Sequence, residues 1–372
     1  MNRPLSVDAP RTADPAHWQN GAAPAAPDLT TRHGYRALMA RRILWLTAAT
    51  VVLLVLMVAD ILIGPAFLAV GDVVAALFAP DRAEPMVRVI VQDIRLPMTL
   101  MAVLVGMSLG TAGVHMQTIL GNPLASPYTL GFSAAAGFGA ALAILTNLTL
   151  PFLPFLTIPV AAFSMCILAA GLVYSFARLR GMSPEIMVLA GIATLFMFQS
   201  MQSMVQYLAA PEVLQAIVFW LFGSLLKASW TNVPIVAAIF GVVSLAVLPN
   251  LWQLTALRLG DARATAIGVD VQRLRIKLFA LVALLTAGAV SFVGTIGFVG
   301  LVAPHIARML VGEDQRVLLP VAALAGAIIM TGASILSKLV SPGGVIPIGI
   351  VTAVIGVPFL FLLILRGQRR HW

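Results

Sequence analysis

Long, uninterrupted runs of apolar residues dominate the pattern of the chain, and short polar stretches rich in Gly, Pro or Arg separate them. Many runs approach the roughly 20 residues that a helix needs to cross the hydrocarbon core of a bilayer. The pattern therefore predicts an all-α, polytopic membrane protein with about ten transmembrane helices. These spans lie at roughly 43–63, 96–118, 129–146, 152–177, 186–208, 233–249, 275–294, 296–310, 318–337 and 347–365.

Three of these spans are short or interrupted by glycine, namely 129–146, 233–249 and 296–310. A short apolar segment can enter a membrane protein as a re-entrant element, because surrounding helices can satisfy its backbone polar groups. For these three segments, a simple crossing and a partly re-entrant path both remain open.

The first 38 residues break the apolar pattern. Five prolines fall among Ala, Asp, Thr and Arg there, and such a composition buries too little apolar surface to offset the entropy of folding. We therefore expect a disordered cytoplasmic N-terminal tail over residues 1–38. Residues 39–372 are expected to form a single transmembrane domain.

The distribution of basic residues tests this number of spans, because cytoplasmic loops of membrane proteins are enriched in Lys and Arg. With ten spans and a cytoplasmic N-terminus, most of the 23 basic residues fall in inside segments. This asymmetry predicts that both termini face the cytoplasm. The basic residues left outside are Arg82, Arg88, Arg95, Lys227 and Lys338.

Composition agrees with a membrane protein and excludes several functions. Hydrophobic residues make up 60% of the 372 residues and charged residues only 10%, which is far from the composition of soluble domains. The net charge of +9 reflects topology rather than nucleic-acid binding, because basic residues are not clustered with aromatic ones on a polar segment. A single cysteine, Cys166, excludes a disulfide within the chain.

Motifs for catalysis or energy conversion are missing. No lysine follows a glycine, so a phosphate-binding Walker A loop is absent and ATP hydrolysis is expected on a separate subunit. Asp60 lies near a span end, and without paired acids within a span the pattern disfavours an ion-coupled carrier or an intramembrane enzyme. His115, followed by Met116, is a candidate haem or metal ligand, but a lone histidine more often hydrogen-bonds to a neighbouring helix. We expect no catalytic residue, no metal site and no directly bound cofactor.

Glycines at helical spacing indicate where helices pack closely. Gly106 and Gly110 are four residues apart, and Gly294, Gly297 and Gly300 recur every three residues. Small residues on one face of a helix allow two backbones to approach each other. We interpret these glycines as packing sites rather than ligand sites.

The polar segment near 255–274 has the signals of a short helix at a tight corner. Gly260 breaks the preceding structure, Asp261 can accept hydrogen bonds from the first amides of a helix, and Gly268 can end that helix. Asp270 can then cap the next helix. A helix of about two turns is unstable alone, so it must pack against something. We hypothesise a docking element for another protein, with an ordinary connecting loop as the alternative.

Several collinear stretches between about residues 95 and 360 resemble the FecCD-type family, the permease subunits of ABC importers for ferric siderophores, haem and cobalamin. They include Arg95-Leu96-Pro97, Asn122-Pro123-Leu124, Leu259-Gly260-Asp261, Gly297-Phe298-Val299-Gly300 and Pro304-His305-Ile306-Ala307-Arg308.

The resemblance implies a type II ABC importer permease fold in the cytoplasmic (inner) membrane, surrounded by membrane lipid. It also implies a second permease copy as a homodimer or a heterodimer, a cytosolic ATPase dimer that holds ATP and Mg²⁺, and an extracytoplasmic substrate-binding protein. No nucleic-acid partner is expected.

The resemblance also assigns roles to three sets of residues. The ATPase-coupling set is Gly260, Asp261, Ala262, Arg263, Ala266, Gly268 and Asp270, supported by Pro304, His305 and Arg308. The set that docks the binding protein is Arg95 and Lys338. The set along the translocation path is Gln199, Gln202, Ser203 and Gln206, whose neutral polar groups could pass a large hydrophilic complex without holding it.

The chain departs from the family pattern at the end that would meet the binding protein. Met98 replaces an arginine, Ser334 an aspartate and Val345 a glutamate, and Lys338 stands where the family has arginine. A lysine lacks the planar fork with which arginine grips a carboxylate. We therefore expect docking through fewer hydrogen bonds.

The sequence thus favours a permease that translocates a ferric siderophore. Import of haem or cobalamin by the same class of importer is one alternative. A secondary transporter that works without ATP is the other.

Overall fold

The computed structural model describes residues 32–66, 68–340 and 344–367, and it contains no β-strand within them. A π-helical segment, Val89–Arg95, runs directly into α4. In chain order the α-helices are α1 (Arg32–Leu62), α2 (Val70–Phe78), α3 (Pro85–Arg88), α4 (Leu96–Ile119), α5 (Phe132–Leu145), α6 (Thr157–Leu179), α7 (Pro184–Leu208), α8 (Pro211–Leu221), α9 (Val233–Val247), α10 (Leu251–Leu257), α11 (Asp261–Ala266), α12 (Val271–Val293), α13 (Val299–Val311), α14 (Gln315–Leu339) and α15 (Ile348–Gly367).

Each of the ten predicted spans overlaps one of these helices, but not all of the helices are long enough to cross a bilayer. Among the described residues, seven helical stretches are long and apolar enough. By contrast, α5 has 14 residues and α13 has 13, which correspond to about 20 Å of helix. The long stretches are Arg36–Leu62, Pro85–Ile119, Pro154–Leu179, Pro184–Leu208, Val233–Leu257, Val271–Val293 and Gln315–Leu339.

The helix of the eighth predicted span, at roughly 296–310, begins at Val299, and backbone conformation explains the difference. Residues 294–298 are not helical, because Gly294 has a φ of +82° and Phe298 a φ of +67°. The Gly294 conformation ends α12, and helix resumes only at Val299. The glycines of this segment therefore mark an unwound connection between two helices rather than one packed helix face.

The N-terminal prediction is tested only in part. Most of the tail predicted over 1–38 lies outside the described residues. Over 32–38 the structure has helix instead of tail, because α1 begins at Arg32. From Leu44 onward the described residues form one compact unit, which holds most of α1 and all of the later helices.

Close packing of α4 against α14 lies at the centre of the larger unit. A Cβ atom added at Gly106 would overlap the carbonyl oxygen of Gly326, and the reverse is also true. A Cβ atom at Gly110 would overlap the carbonyl of Ala322. The two backbones therefore touch directly. The glycine spacing of α4 predicts such an approach.

These contacts show that α4 and α14 run antiparallel, which gives the bundle two distinct ends. Gln315, at the start of α14, hydrogen-bonds through its Nε2 atom to Thr118 near the end of α4, at 3.2 Å. Lys338 lies at the opposite end of α14. We refer below to the Asp261 end, which also holds Gln315, and to the Lys338 end.

The contact between α4 and α14 yields a test of the packing. We expect Gly326→Ala to lower the melting temperature in detergent, because the added methyl group must push two backbones apart at a cost of about 1–3 kcal/mol. Gly332→Ala in the same helix is the matched control, since its Cβ would meet no atom within 4 Å. Equal melting temperatures for the two variants would contradict this account.

Candidate functional site

The glycines on either side of α11 have the turn conformations that the sequence predicts. Gly260, with a φ of +96°, precedes the helix, and Gly268, with a φ of +89°, follows it. Both are conformations that glycine adopts without strain. Inside the corner, Ala264 and Val269 are buried and anchor it to the bundle. The outer side consists of small or polar exposed residues, namely Ala262, Arg263, Thr265 and Ala266.

The carboxylate of Asp261 does not cap α11, contrary to the prediction. No side-chain cap is present at this helix start. Instead, both carboxylate oxygens accept hydrogen bonds from Nη2 of Arg275, each at 2.9 Å. Asp261 therefore ties the short helix to α12 rather than satisfying its own backbone.

Arg275 is the buried centre of this end of the molecule. Its Nε donates to the carbonyl of Ile119 at 2.9 Å, and its Nη1 donates to the carbonyl of Met182 at 3.1 Å. Ile119 ends α4, and Met182 lies in the connection from α6 to α7. One guanidinium thus joins three separate chain segments to α12, and it is only 4% exposed.

The predicted cap of the next helix is confirmed. Oδ1 of Asp270 accepts a hydrogen bond from the backbone amide of Arg273 at 3.0 Å. The side chain of Arg273 also pairs with the same carboxylate at 3.0 Å, on the surface. Asp270 therefore fixes where α12 starts and leaves its own charge accessible.

Arg308 supports the corner indirectly, through Glu313. Its Nε lies 3.0 Å from a carboxylate oxygen of Glu313, and the same oxygen accepts from Arg258, two residues before Gly260, at 2.8 Å. Nη2 of Arg308 also donates to Oε1 of Gln117 in α4 at 2.9 Å. This network connects α13, α4 and the end of α10.

Pro304 and His305, predicted to support the corner from a neighbouring loop, lie in a helix instead, and their role in coupling stays a prediction. Both lie inside α13. The Pro304 ring is close enough to Gly113 that a Cβ added there would lie 2.8 Å from it. The His305 ring faces Phe359 of α15, with centroids 6.1 Å apart. These side chains pack helices together.

The Lys338 end holds a buried ion pair that the sequence analysis did not predict. Lys338 Nζ lies 2.8 Å from Oδ1 of Asp60 and also donates to the Asp60 carbonyl at 2.8 Å. Thr99 donates to Oδ2 of Asp60 at 2.5 Å. The side chains of Lys338 and Asp60 are 2% and 0% exposed, so the pair connects α1, α4 and α14 away from solvent.

Arg95 is likewise committed to bonds within the chain. Its guanidinium donates to the carbonyls of Ile61 and Leu62, each at 2.9 Å, and to that of Ala66. Arg95 and Lys338 are both buried and bonded within the chain in the structure, and their docking to the carboxylates of another protein stays a prediction. Arg95 holds the connection that follows α1.

The four polar residues predicted for a translocation path form one stripe along α7. Gln199 and Ser203 are exposed, whereas Gln202 and Gln206 are half-buried. Their spacing of three or four residues places them on one helix face. The Gln202 amide lies against α5, since a Cβ added at Gly137 would come within 2.5 Å of its Oε1.

A cavity of about 640 Å³ lies where the unwound 294–298 segment meets α15 and the connection after α4. Phe298, held at a positive φ, lines it together with Leu124, Tyr128 and Val354. Phe298 also packs against the backbone of Gly356, where a Cβ would have no room. The sequence analysis assigned no role to Phe298. Its position between Gly297 and Gly300 was a signal, because closely spaced glycines can mark an unwound segment.

His115 does not make the hydrogen bond that the sequence analysis favoured. Its side chain is fully buried, and neither ring nitrogen has a partner within the part of the chain that the structure describes.

The sequence analysis did not predict the structural roles of Arg275, Asp60 and Glu313. The only signal in the sequence was an ionisable residue next to or within an apolar run.

Comparison with known proteins gives a consistent result. The profile of the FecCD transport family matches residues 52–366. The chain is 37% identical to the Fe(3+)-citrate import system permease protein YfmE of Bacillus subtilis, over 92% of this chain and 98% of that protein. It is 37% identical to the cobalamin import system permease protein BtuC of Halobacterium salinarum, over 78% and 75%. It is 34% identical to the hemin transport system permease protein HmuU of Yersinia pestis, over 75% and 84%.

A solved structure has the same architecture. An ABC transporter of the metal-chelate type, in an inward-facing conformation, aligns with a TM-score of 0.77 and 30% sequence identity. The alignment covers 86% of this chain and 98% of that chain. The helices described above therefore follow the fold of an ABC importer permease.

The role of Arg275 can be tested with a matched pair of substitutions in α12. We expect Arg275→Lys to lower the melting temperature, because a lysine cannot reach three acceptors and leaves a buried carbonyl unpaired, at a cost of about 1–3 kcal/mol. Arg273→Lys removes the same group from an exposed pair and is expected to change stability by less than about 0.5 kcal/mol. Thermal unfolding in detergent measures both, and a similar loss in the two variants would contradict the central role of Arg275.

Proposed function

Because the chain belongs to the FecCD transport family and is a permease subunit of an ABC importer for an iron chelate, haem or cobalamin, we propose that its own cargo is a ferric siderophore. The near-complete match to an Fe(3+)-citrate permease is the observation that carries this choice. The stripe of neutral amides and hydroxyls on α7 supports it, since such groups contact a hydrophilic chelate without binding it tightly.

We propose that α11 is the element through which a separate ATPase acts on the permease. Its outer face is exposed and small, and two large apolar residues, Leu259 and Ile267, are 57% and 50% exposed beside it. Exposed apolar side chains next to small ones are typical of a surface that a partner covers. The bonds from Asp261 through Arg275 would carry a displacement of α11 to the ends of α4 and the start of α7.

The Asp261 end is proposed to face the cytoplasm, together with both termini, and the protein to lie in the cytoplasmic membrane. The excess of basic residues in the segments at that end supports this orientation. The Lys338 end would then receive the substrate-binding protein. Arg95 and Lys338 are proposed to shape that surface by holding the connection after α1 and the end of α14.

A second copy of the permease is proposed to pair with this chain around the translocation path. The exposed face of α7 and the outer side of α15 carry large apolar residues, including Phe196 at 62%, Val354 at 67% and Phe361 at 63% exposed. The 640 Å³ cavity beside α15 would contribute to the inner part of the path. A homodimer is the simplest arrangement, because one patch then serves both subunits.

Reconstituted transport tests the cargo. Proteoliposomes that contain the permease, its ATPase and its binding protein are expected to accumulate a ⁵⁵Fe-labelled siderophore only when ATP is supplied. Hemin and cyanocobalamin in large excess should leave this uptake unchanged. Competition by either compound would reassign the cargo within the importer class, and uptake driven by an ion gradient without the ATPase would instead indicate a secondary transporter.

A bulky substitution on α11 tests the docking surface without disturbing the fold. Ala266 is exposed, so Ala266→Trp should leave the melting temperature unchanged and weaken capture of the ATPase by about tenfold, because the enlarged face no longer fits a cleft. The control is Ala210→Trp, at an exposed alanine before α8. Copurification of the ATPase with each variant gives the measurement, and normal capture by Ala266→Trp would remove α11 from the interface.

A further inference from the structure

A second cavity lies between α4, α9 and α14, and it plays no part in the coupling corner or the α7 stripe. Its volume is about 450 Å³, and most of its lining is apolar, including Met107, Phe240 and Leu324. Three uncharged polar side chains also line it, namely Thr111 and His115 on α4 and Ser244 on α9. Thr111 and His115 are one helical turn apart, on the same face of α4 as Met107.

His115 is a buried polar side chain in the wall of this cavity. Its side chain is 0% exposed, and both ring nitrogens lack a hydrogen-bond partner among the described residues. A neutral imidazole has one donor and one acceptor, and buried polar groups in folded proteins nearly always have partners. A ligand with oxygen atoms in the cavity would satisfy this side chain once the ring turns toward it, because both nitrogens are enclosed by protein in the structure.

Arg316 places a positive charge at one end of the same cavity. Its side chain is exposed and forms no ion pair with any residue that the structure describes. Because α4 and α14 are antiparallel, Arg316 and His115 lie near the same end, close to the Thr118–Gln315 hydrogen bond. Met107 and Leu324 lie eight residues farther along their helices, which is about 12 Å toward the middle of the bundle. The cavity is thus polar and cationic at the Asp261 end and apolar at depth.

The third wall of the cavity faces lipid. The helical stretch Val233–Leu257 includes α9, and only 17% of its most apolar part is buried within the protein. A lipid that occupies the cavity would enter alongside α9, which is largely exposed to the surrounding membrane. Basic pockets between transmembrane helices near the membrane surface are suited to anionic lipid headgroups.

We propose that this cavity binds one anionic phospholipid. Its phosphate would pair with Arg316, its ester oxygens would accept from His115 or from the Thr111 hydroxyl, and one acyl chain would extend to Met107 and Leu324. A free phosphate ion would leave the apolar depth empty. A second protein copy would not account for a cavity that is cationic at one end and apolar at depth.

Photo-crosslinking of the intact protein in lipid nanodiscs tests the proposal. The probe is a phosphatidylglycerol with a diazirine at the end of one acyl chain, and peptides are identified by mass spectrometry. Crosslinks are expected on the peptides that contain Phe240 and Leu324. Unlabelled dioleoylphosphatidylglycerol should suppress them, whereas dioleoylphosphatidylcholine and inorganic phosphate should not.

Two variants and a control separate the site from general lipid contact. Arg316→Gln, at an exposed position, should lower the crosslink yield about fivefold. Ala323→Phe should abolish it by filling the cavity that Ala323 lines. Arg178→Gln removes the same charge from an exposed residue at the end of α6, outside the cavity, and should have no effect.

Several results would overturn the proposal. Unchanged yield in Arg316→Gln would exclude the headgroup contact, and equal competition by phosphatidylcholine would exclude recognition of an anion. Suppression by inorganic phosphate would indicate a simple anion site. Crosslinks between two copies of the protein through α9, obtained in place of lipid crosslinks, would assign the cavity to a protein interface.

Discussion

The arrangement of the Asp261 end depends on one buried guanidinium. Arg275 holds the carboxylate of Asp261 and the carbonyls of Ile119 and Met182 at the same time. A charged group buried this deeply is tolerated only when its donors are satisfied, so the three segments that supply the acceptors are held in register with α12. In the proposed function this is how a push on α11 would reach helices that line the path, since α7 starts two residues after Met182.

The opposite end is organised by a different kind of interaction. Asp60, Lys338 and Thr99 bring together α1, α4 and α14 through a buried ion pair. Burying two charges costs desolvation energy that can exceed their mutual attraction, so this pair is weak evidence for added stability. The backbone contact of Gly106 with Gly326, between these two ends, supplies the dispersion energy of close packing. In the proposed function, the polar networks at the two ends and the tightly packed centre would transmit small displacements along the bundle.

Local structure was largely predictable from the sequence. The positions of the helices follow from the apolar runs, and the turn at Gly268 and the cap by Asp270 follow from residues that act on their own neighbours. The ends of a helix were harder to predict where its apolar run was too short for a complete span, as in α13. There, the conformations at Gly294 and Phe298 depend on contacts with α8 and α15, which neighbours in sequence do not reveal.

By itself the sequence determined that the chain is an all-α membrane protein with a small helical corner, and it carried the motifs of its transporter family, because apolar periodicity and turn residues act over a few neighbouring positions. Only the tertiary structure decided what the ionisable side chains do. Arg95 and Lys338 face inward, Asp261 binds Arg275 instead of its own helix, and His115 lines a cavity without a partner. The sequence gives the charge of each side chain, but the packing of the helices decides which partner that side chain meets.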